Sequence, residues 1–209
     1  MNPISTCAAS RNEDLARILI GWIEQDAATR SMLATLRELG LPDAYLAAGA
    51  IRNLVWDRLH GFESRTPLND VDVVYFDAAD PCPLDSEASA ERRLSEKMPG
   101  LNWQARNQAR MHIRNGAEPY GSVVEAMRGW PETATAVGAR MEGDGSLSLV
   151  CPWGLDDLFA LLLKPSPLCP QPEAFAERVA AKNWLVRWPK LRITTAKVRH
   201  NDDTSANWR

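Results

Sequence analysis

The stretch Asn69-Asp-Val-Asp-Val-Val-Tyr-Phe-Asp77 constrains this chain more than any other. Val71 to Phe76 is β-branched or aromatic apart from one acid, so it reads as a strand, and aspartate is a poor strand former. Asp70 and Asp72 are two residues apart and therefore project from one face of that strand. Two adjacent carboxylates repel, and the repulsion raises the pKa of one of them unless a cation stands between them. A hard divalent ion, Mg2+ or Mn2+, suits such a pair, because it takes one or two carboxylates and completes its shell with water and phosphate oxygens. The alternative is an edge strand whose outer face is merely acidic.

A second feature lies upstream. Tyr45-Leu-Ala-Ala48 is short and apolar, reads as a buried strand, and runs into Gly49, from which a helix follows with Ile51, Leu54, Val55 and Leu59 inward and His60-Gly61 closing it. A strand that turns at glycine into a helix offers backbone N–H groups to an anion, with the helix dipole assisting. Arg52 lies three residues into that helix, where a forked donor reaches a triphosphate. A glycosyltransferase-type D-x-D is the rival reading. There the acids end an apolar strand, whereas here Val73 to Phe76 follow them, and the chain is short for that fold.

The rest of the 209 residues supplies a frame. Hydrophobic residues make up 45% and charged residues 24%, the balance of an ordinary globular protein. No apolar run approaches the roughly 20 residues that cross a bilayer, and the first residues do not resemble a secretory signal. A cytoplasmic protein without a membrane partner is expected. Cys7, Cys82, Cys151 and Cys169 are scattered with no C-x-x-C pair, which argues against zinc. From Gln171 onward eight Lys/Arg face four Asp/Glu, so a local balance of +4 sits on a body of -7. Such a basic end either touches phosphate or is a solvated helix face.

The pattern predicts helices from Asn12, over Met32 to Leu39, from Ser86 to Lys97, from Ser122 to Arg128 and from Leu155 to Leu163. It predicts one long alternating strand over 102–112, with Asn107 on one side and Arg106 and Arg110 on the other. Runs 134–141 and 147–150 flank Gly143-Asp-Gly145 as a hairpin. Expected units are a flexible 1–11, a main domain over 12–164, a linker with a docking helix over 165–192, and a loose tail over 193–209. Strands near 44–48, 71–76 and 102–112 should be neighbours, leaving an open cleft lined by the acids and the Arg106/Arg110 row.

Gly49-Ala-Ile-Arg-Asn53 followed by Asp70-Val-Asp72 resembles the glycine turn and paired aspartates of the DNA polymerase beta nucleotidyltransferase superfamily, and Ala-Ile-Arg-Asn is similar to the turn of tRNA CCA-adding enzymes. The wider set GAIRNLVWD, NDVDVVYFD, WQARNQARMH, WPETATAVGAR, PWGLDDLF and KNWLVRWPKL resembles a bacterial family of nucleotidyltransferase-like proteins over nearly the whole chain. The resemblance implies an α+β fold, with a mixed sheet, helices packed on one face, and helical N- and C-terminal elements. It implies Asp70 and Asp72 as metal ligands, and Gly49, Ala50, Arg52, Asn53, Asn107 and Arg110 at the nucleotide. The reaction implied is attack of an acceptor hydroxyl on the α-phosphate of a nucleoside triphosphate, the acceptor being a small molecule, a protein or RNA.

The chain departs from the superfamily pattern in three ways. Ala50 stands where a serine or second glycine is common, the interval from Gly49 to Asp70 is long, and the strand over 103–112 offers no third carboxylate. Glu132 is the candidate replacement, its alternative being a turn acid beside Pro131. Without that acid the fold would bind nucleotide and metal and do no chemistry. A third reading makes Trp184 and Trp188, with Arg187 and Lys190, a partner surface, although tryptophan at such positions is more often core.

Overall fold

The computed structural model describes residues 3–169 and 174–194. In chain order the elements are α1 (Pro3–Gln25), α2 (Ala27–Leu39), β1 (Tyr45–Ala47), α3 (Gly49–His60), β2 (Val71–Tyr75), α4 (Pro83–Lys97), β3 (Trp103–Asn107), α5 (Met111–Asn115), α6 (Val123–Arg128), β4 (Gly138–Met141), β5 (Leu147–Val150), α7 (Asp156–Phe159), β6 (Leu162–Leu163), α8 (Ala174–Ala181), α9 (Trp184–Arg187) and β7 (Arg192–Ile193). Five strands form one mixed sheet in the order β3-β2-β1-β4-β5, and β6 pairs with β7 alone. The centre strand β1 is antiparallel to both β2 and β4, while β2 and β3 run parallel across the α4 crossover. The three strands expected to be neighbours are neighbours.

Strand alternation sorts the two faces. Leu46, Val71, Val73, Tyr75, Trp103, Ala105 and Ala139 point into the main core with residues of α1 to α4 and α7 to α9. Tyr45, Ala47 and Val74 point the other way, where among the described residues only Val123 and Met127 of α6, with Ala136, Val150 and flanking Phe76, Trp130 and Trp153, cover them. Asp72 shares that thinly covered face. Asp26 caps α2 by accepting the Thr29 N–H at 2.9 Å, and Gly40, at φ 70°, ends it in the left-handed conformation that glycine adopts without strain.

Four expectations need correction. The first helix begins at Pro3, not Asn12, whose side chain instead accepts the Leu155 N–H at 3.0 Å. The strand over 102–112 stops at Asn107. The Asn107 Oδ1 accepts the Ala109 N–H at 3.1 Å and turns the chain into a 3-10 segment followed by α5. The apolar run 155–163 yields only the four-residue α7, because Leu161 adopts φ 55° and Leu162 pairs with Arg192. The segment from Pro165 is no free linker as far as Cys169. Ser166 is buried, donates its N–H to Pro131 O at 2.9 Å and its hydroxyl to Arg128 O at 2.7 Å. The expected tail beyond Thr194 lies outside the described residues.

The C-terminal helix is two helices, α8 and α9, broken at Asn183 (φ 52°). Trp184 and Trp188 are buried edge-on against Trp56 of α3, with ring centroids 5.7 and 5.0 Å away. Trp188 Nε1 donates to Asp57 Oδ1 at 2.8 Å. Truncating a buried tryptophan of this kind costs about 3–5 kcal/mol, so these rings are what fasten α9 to α3. They are core and not a partner surface.

Candidate active site

The site begins at the turn between β1 and α3. Ala48 holds φ 46°, ψ -116°, a conformation costly for a residue with a Cβ. Its carbonyl accepts the N–H groups of Ile51 (3.2 Å) and Arg52 (2.8 Å), so α3 starts abruptly. Among the described residues the Gly49 and Ala50 N–H groups have no backbone acceptor, as expected for a helix start. A Cβ placed on Gly49 would stand 3.6 Å from Arg52 Nη2 and 3.9 Å from Asn53 Nδ2. Glycine is therefore not required there by packing against the protein. It keeps open a space lined by cationic and amide nitrogen, which is the chemistry of a phosphate cradle. Ala50 contributes only its backbone, since its methyl lies in the core.

Arg52 is buried and fixed. One turn further along α3, Trp56 offers its ring 4.8 Å from the Arg52 Cζ, and Trp184, edge-on to Trp56, offers another at 4.7 Å. Arg52 Nε and Nη2 both donate to Asn53 Oδ1, at 3.1 and 2.8 Å. It makes no ion pair among the described residues. Burial lowers its pKa to about 10, against the attraction of Glu132 first and then of Asp72 and Asp70.

The acids arrive from the neighbouring strand. Asp57, itself buried, accepts the Thr66 N–H (2.8 Å) and hydroxyl (2.6 Å), and so pins the loop that leads to Asp70. Asp72 lies opposite Ala47 in the β1–β2 register, one residue before the strained turn. Burial raises the Asp72 pKa, and the Asp70 charge raises it further, opposed by Arg52 and then by Lys182 and Arg178. The repulsion is the one foreseen for two adjacent carboxylates, and that donor set fits a hard divalent ion.

Three other candidates are placed elsewhere. Glu132 is fully buried, with Oε1 accepting Arg178 Nε at 2.7 Å and Oε2 accepting the Thr135 hydroxyl at 2.9 Å. It holds Arg178, attracts Arg52 without a bond to it, and does not join the pair. Among the described residues no group of three or more His, Cys, Asp or Glu is arranged to hold a metal. Asn107 is buried three residues beyond the Gln104 that faces Asp72, about 10 Å along the strand. Its side chain accepts Asp77 N–H at 3.1 Å and donates to Asp77 O at 2.8 Å. Arg110 forks onto Glu87 of α4 through Nε, at 2.7 Å, and Nη2, and Arg106 turns to Glu91. The expected arginine row is thus spent on α4 and does not line the cleft.

Sequence reasoning missed one wall of the site. Lys182, Trp184 and Arg187 line the same small cavity as Gly49, Arg52 and Asp70. The net +4 of the last segment was the available signal, and only the docking of Trp188 on Trp56 directs it here.

The fold is that of a polymerase-beta-type nucleotidyltransferase. The chain belongs to a nucleotidyltransferase family, whose model matches residues 34–193. It is similar to a protein whose NMR structure reveals a CCA-adding enzyme head domain, with 29% identity and a TM-score of 0.75 over 85% of this chain and 95% of the other. A CCA-adding enzyme in complex with CTP shares the fold at 13% identity and a TM-score of 0.54, over 85% of this chain and 42% of that one. The Thermotoga maritima CCA-adding enzyme complexed with tRNA does so at 14% identity and a TM-score of 0.50, over 79% of this chain and 38% of that enzyme. No curated protein matches the sequence. Among the described residues no helix is long and apolar enough to cross a membrane.

Proposed function

We propose that this chain moves a nucleoside monophosphate from a nucleoside triphosphate to an acceptor hydroxyl, with Asp70 and Asp72 holding Mg2+ or Mn2+. The observation that carries the reading is the β1–β2 register. It sets Asp72 against Ala47, one strand spacing of about 4.8 Å away and two residues before Gly49, so the acid pair and the glycine turn come from adjacent strands. A divalent ion bound there would neutralise charge on the α-phosphate and on the attacking oxygen. The chain's own groups bind and orient. The Gly49 and Ala50 N–H groups and the Arg52 guanidinium take phosphate oxygens, while Asn53 and the two indoles hold Arg52 in one rotamer, so that little entropy is lost on binding. The acceptor oxygen then displaces pyrophosphate. The likeness to a CCA-adding head domain supports a triphosphate donor, and such a donor suits a cytoplasmic protein. The acceptor is a small molecule, a protein or RNA.

The purified chain with each labelled triphosphate and Mg2+ or Mn2+ should release pyrophosphate or label itself or an added acceptor, and Asp72→Asn should abolish both. One observation favours a second reading, a nucleotide-binding module without turnover, namely that no third acid joins the pair among the described residues. Nucleotide-dependent stabilisation of the parent with no pyrophosphate from any triphosphate would select it.

A further inference from the structure

We infer that the C-terminal pair α8–α9 is a working wall of the nucleotide site, in which Lys182, with Arg187 beside it, takes the terminal phosphates of the triphosphate. The inference rests on the donor site proposed above and adds to it a part of the chain that lies more than a hundred residues beyond the acids. Lys182 and Arg187 line one cavity with Gly49, Arg52, Asn53 and Asp70.

The local fold presents Lys182 there on purpose-built geometry. Its N–H closes the last turn of α8 on Arg178 O at 3.0 Å, and the left-handed Asn183 then reverses the path into α9. Asparagine tolerates that conformation better than most residues. The two flanking side chains are anchored, Arg178 to the buried Glu132 and Trp184 against the Arg52 guanidinium. Lys182 and Arg187 themselves make no ion pair among the described residues. With Arg52 they give the cavity three cations without an ion-pair partner among the described residues, against the single carboxylate of Asp70 in its lining. A nucleoside monophosphate needs only the Gly49 cradle, so the second group of cations fits the added charge of a β,γ-diphosphate.

The test is calorimetric titration of the full chain with inorganic triphosphate, ATP and AMP, each with Mg2+. Lys182→Gln should weaken triphosphate and ATP binding about tenfold and AMP binding much less, Lys182→Arg should restore most of the loss, and Arg93→Gln, an exposed change on α4, should have no effect. Lys182 is exposed, so unchanged melting temperatures without ligand will show that the variants are folded. Equal ATP affinity in Lys182→Gln and the parent, with Asp72→Asn still losing Mg2+-dependent binding, overturns this inference and leaves the donor site standing. Failure of the parent to bind triphosphate or ATP overturns both.

Discussion

Two arginines, Arg52 and Arg110, begin as equivalent prospects for phosphate contact and end in opposite electrostatic states. Arg110 forks onto Glu87, whose carboxylate also accepts the Asn107 N–H at 2.8 Å, and these bonds raise the Arg110 pKa. Arg52 is more deeply buried, yet it has one amide oxygen and two indole faces, and its pKa falls to about 10. The protein completes one cation and leaves the other incomplete. A charge taken out of water without a bonded counter-ion is costly, and it is tolerated where an anion from outside finishes the set. The difference separates a structural ion pair from a binding site more sharply than residue type does.

The largest effect should come from breaking the completed pair. Glu87→Ala leaves Arg110 and the Asn107 N–H without an acceptor and should lower stability by about 3 kcal/mol, read by urea denaturation. Arg52→Met, which removes a desolvated charge and keeps an apolar filler against the two rings, should stay within about 1 kcal/mol of the parent. Equal losses in the two variants would break the comparison.

Glu132→Gln comes next. Were Glu132 a metal ligand, the change would depress kcat by about 100-fold at nearly constant KM. Buried behind Arg178 and Arg52, it should instead lower stability by about 2 kcal/mol and act through triphosphate affinity. A large fall in kcat alone, with an unchanged melting temperature, would return it to the metal site. For Arg52→Ala the expected result is a KM for triphosphate raised about tenfold or more, with kcat changed less, because a guanidinium on phosphate acts in ground and transition states alike. A change confined to kcat would contradict the cradle.

The parts of this site that were legible in the sequence are the local ones. Asp72 lies on the face expected of it because strands alternate, with Asp70 just before that strand, and Gly49 starts a helix because an apolar strand meets a glycine there. The strand over 102–112 was overextended because a 3-10 turn and a short helix can continue an alternating polar pattern for several residues, and only the Asn107 side chain, bonding locally, marks the stop. The helix over 155–163 was overextended because Leu161 enters the left-handed region to satisfy a pairing with Arg192, some thirty residues away. Lys182 and Glu132 take their places from contacts that span the chain. No periodicity carries that information.

The smallest effect belongs to the unfinished pair itself. In metal-free buffer the folded-state pKa of Asp72 is raised above its ordinary value of 3.8, by burial and by Asp70. The folded protein therefore holds a proton that the unfolded chain releases more readily, so Asp72 costs stability once pH exceeds its folded pKa. That cost fades as pH falls through the raised pKa towards the unfolded one. Asp72→Asn, nearly isosteric and uncharged, should accordingly be as stable as the parent or slightly more so at pH 7, and the gap should close as the solution is acidified. Thermal melts in chelator across pH 4 to 7 measure it. Adding Mg2+ and triphosphate should stabilise the parent and leave the variant unmoved. A variant that is less stable than the parent in chelator would mean that the Asp72 carboxylate is satisfied by its neighbours, as Glu87 is, and that Arg52 and Arg110 are after all two versions of one structural pair.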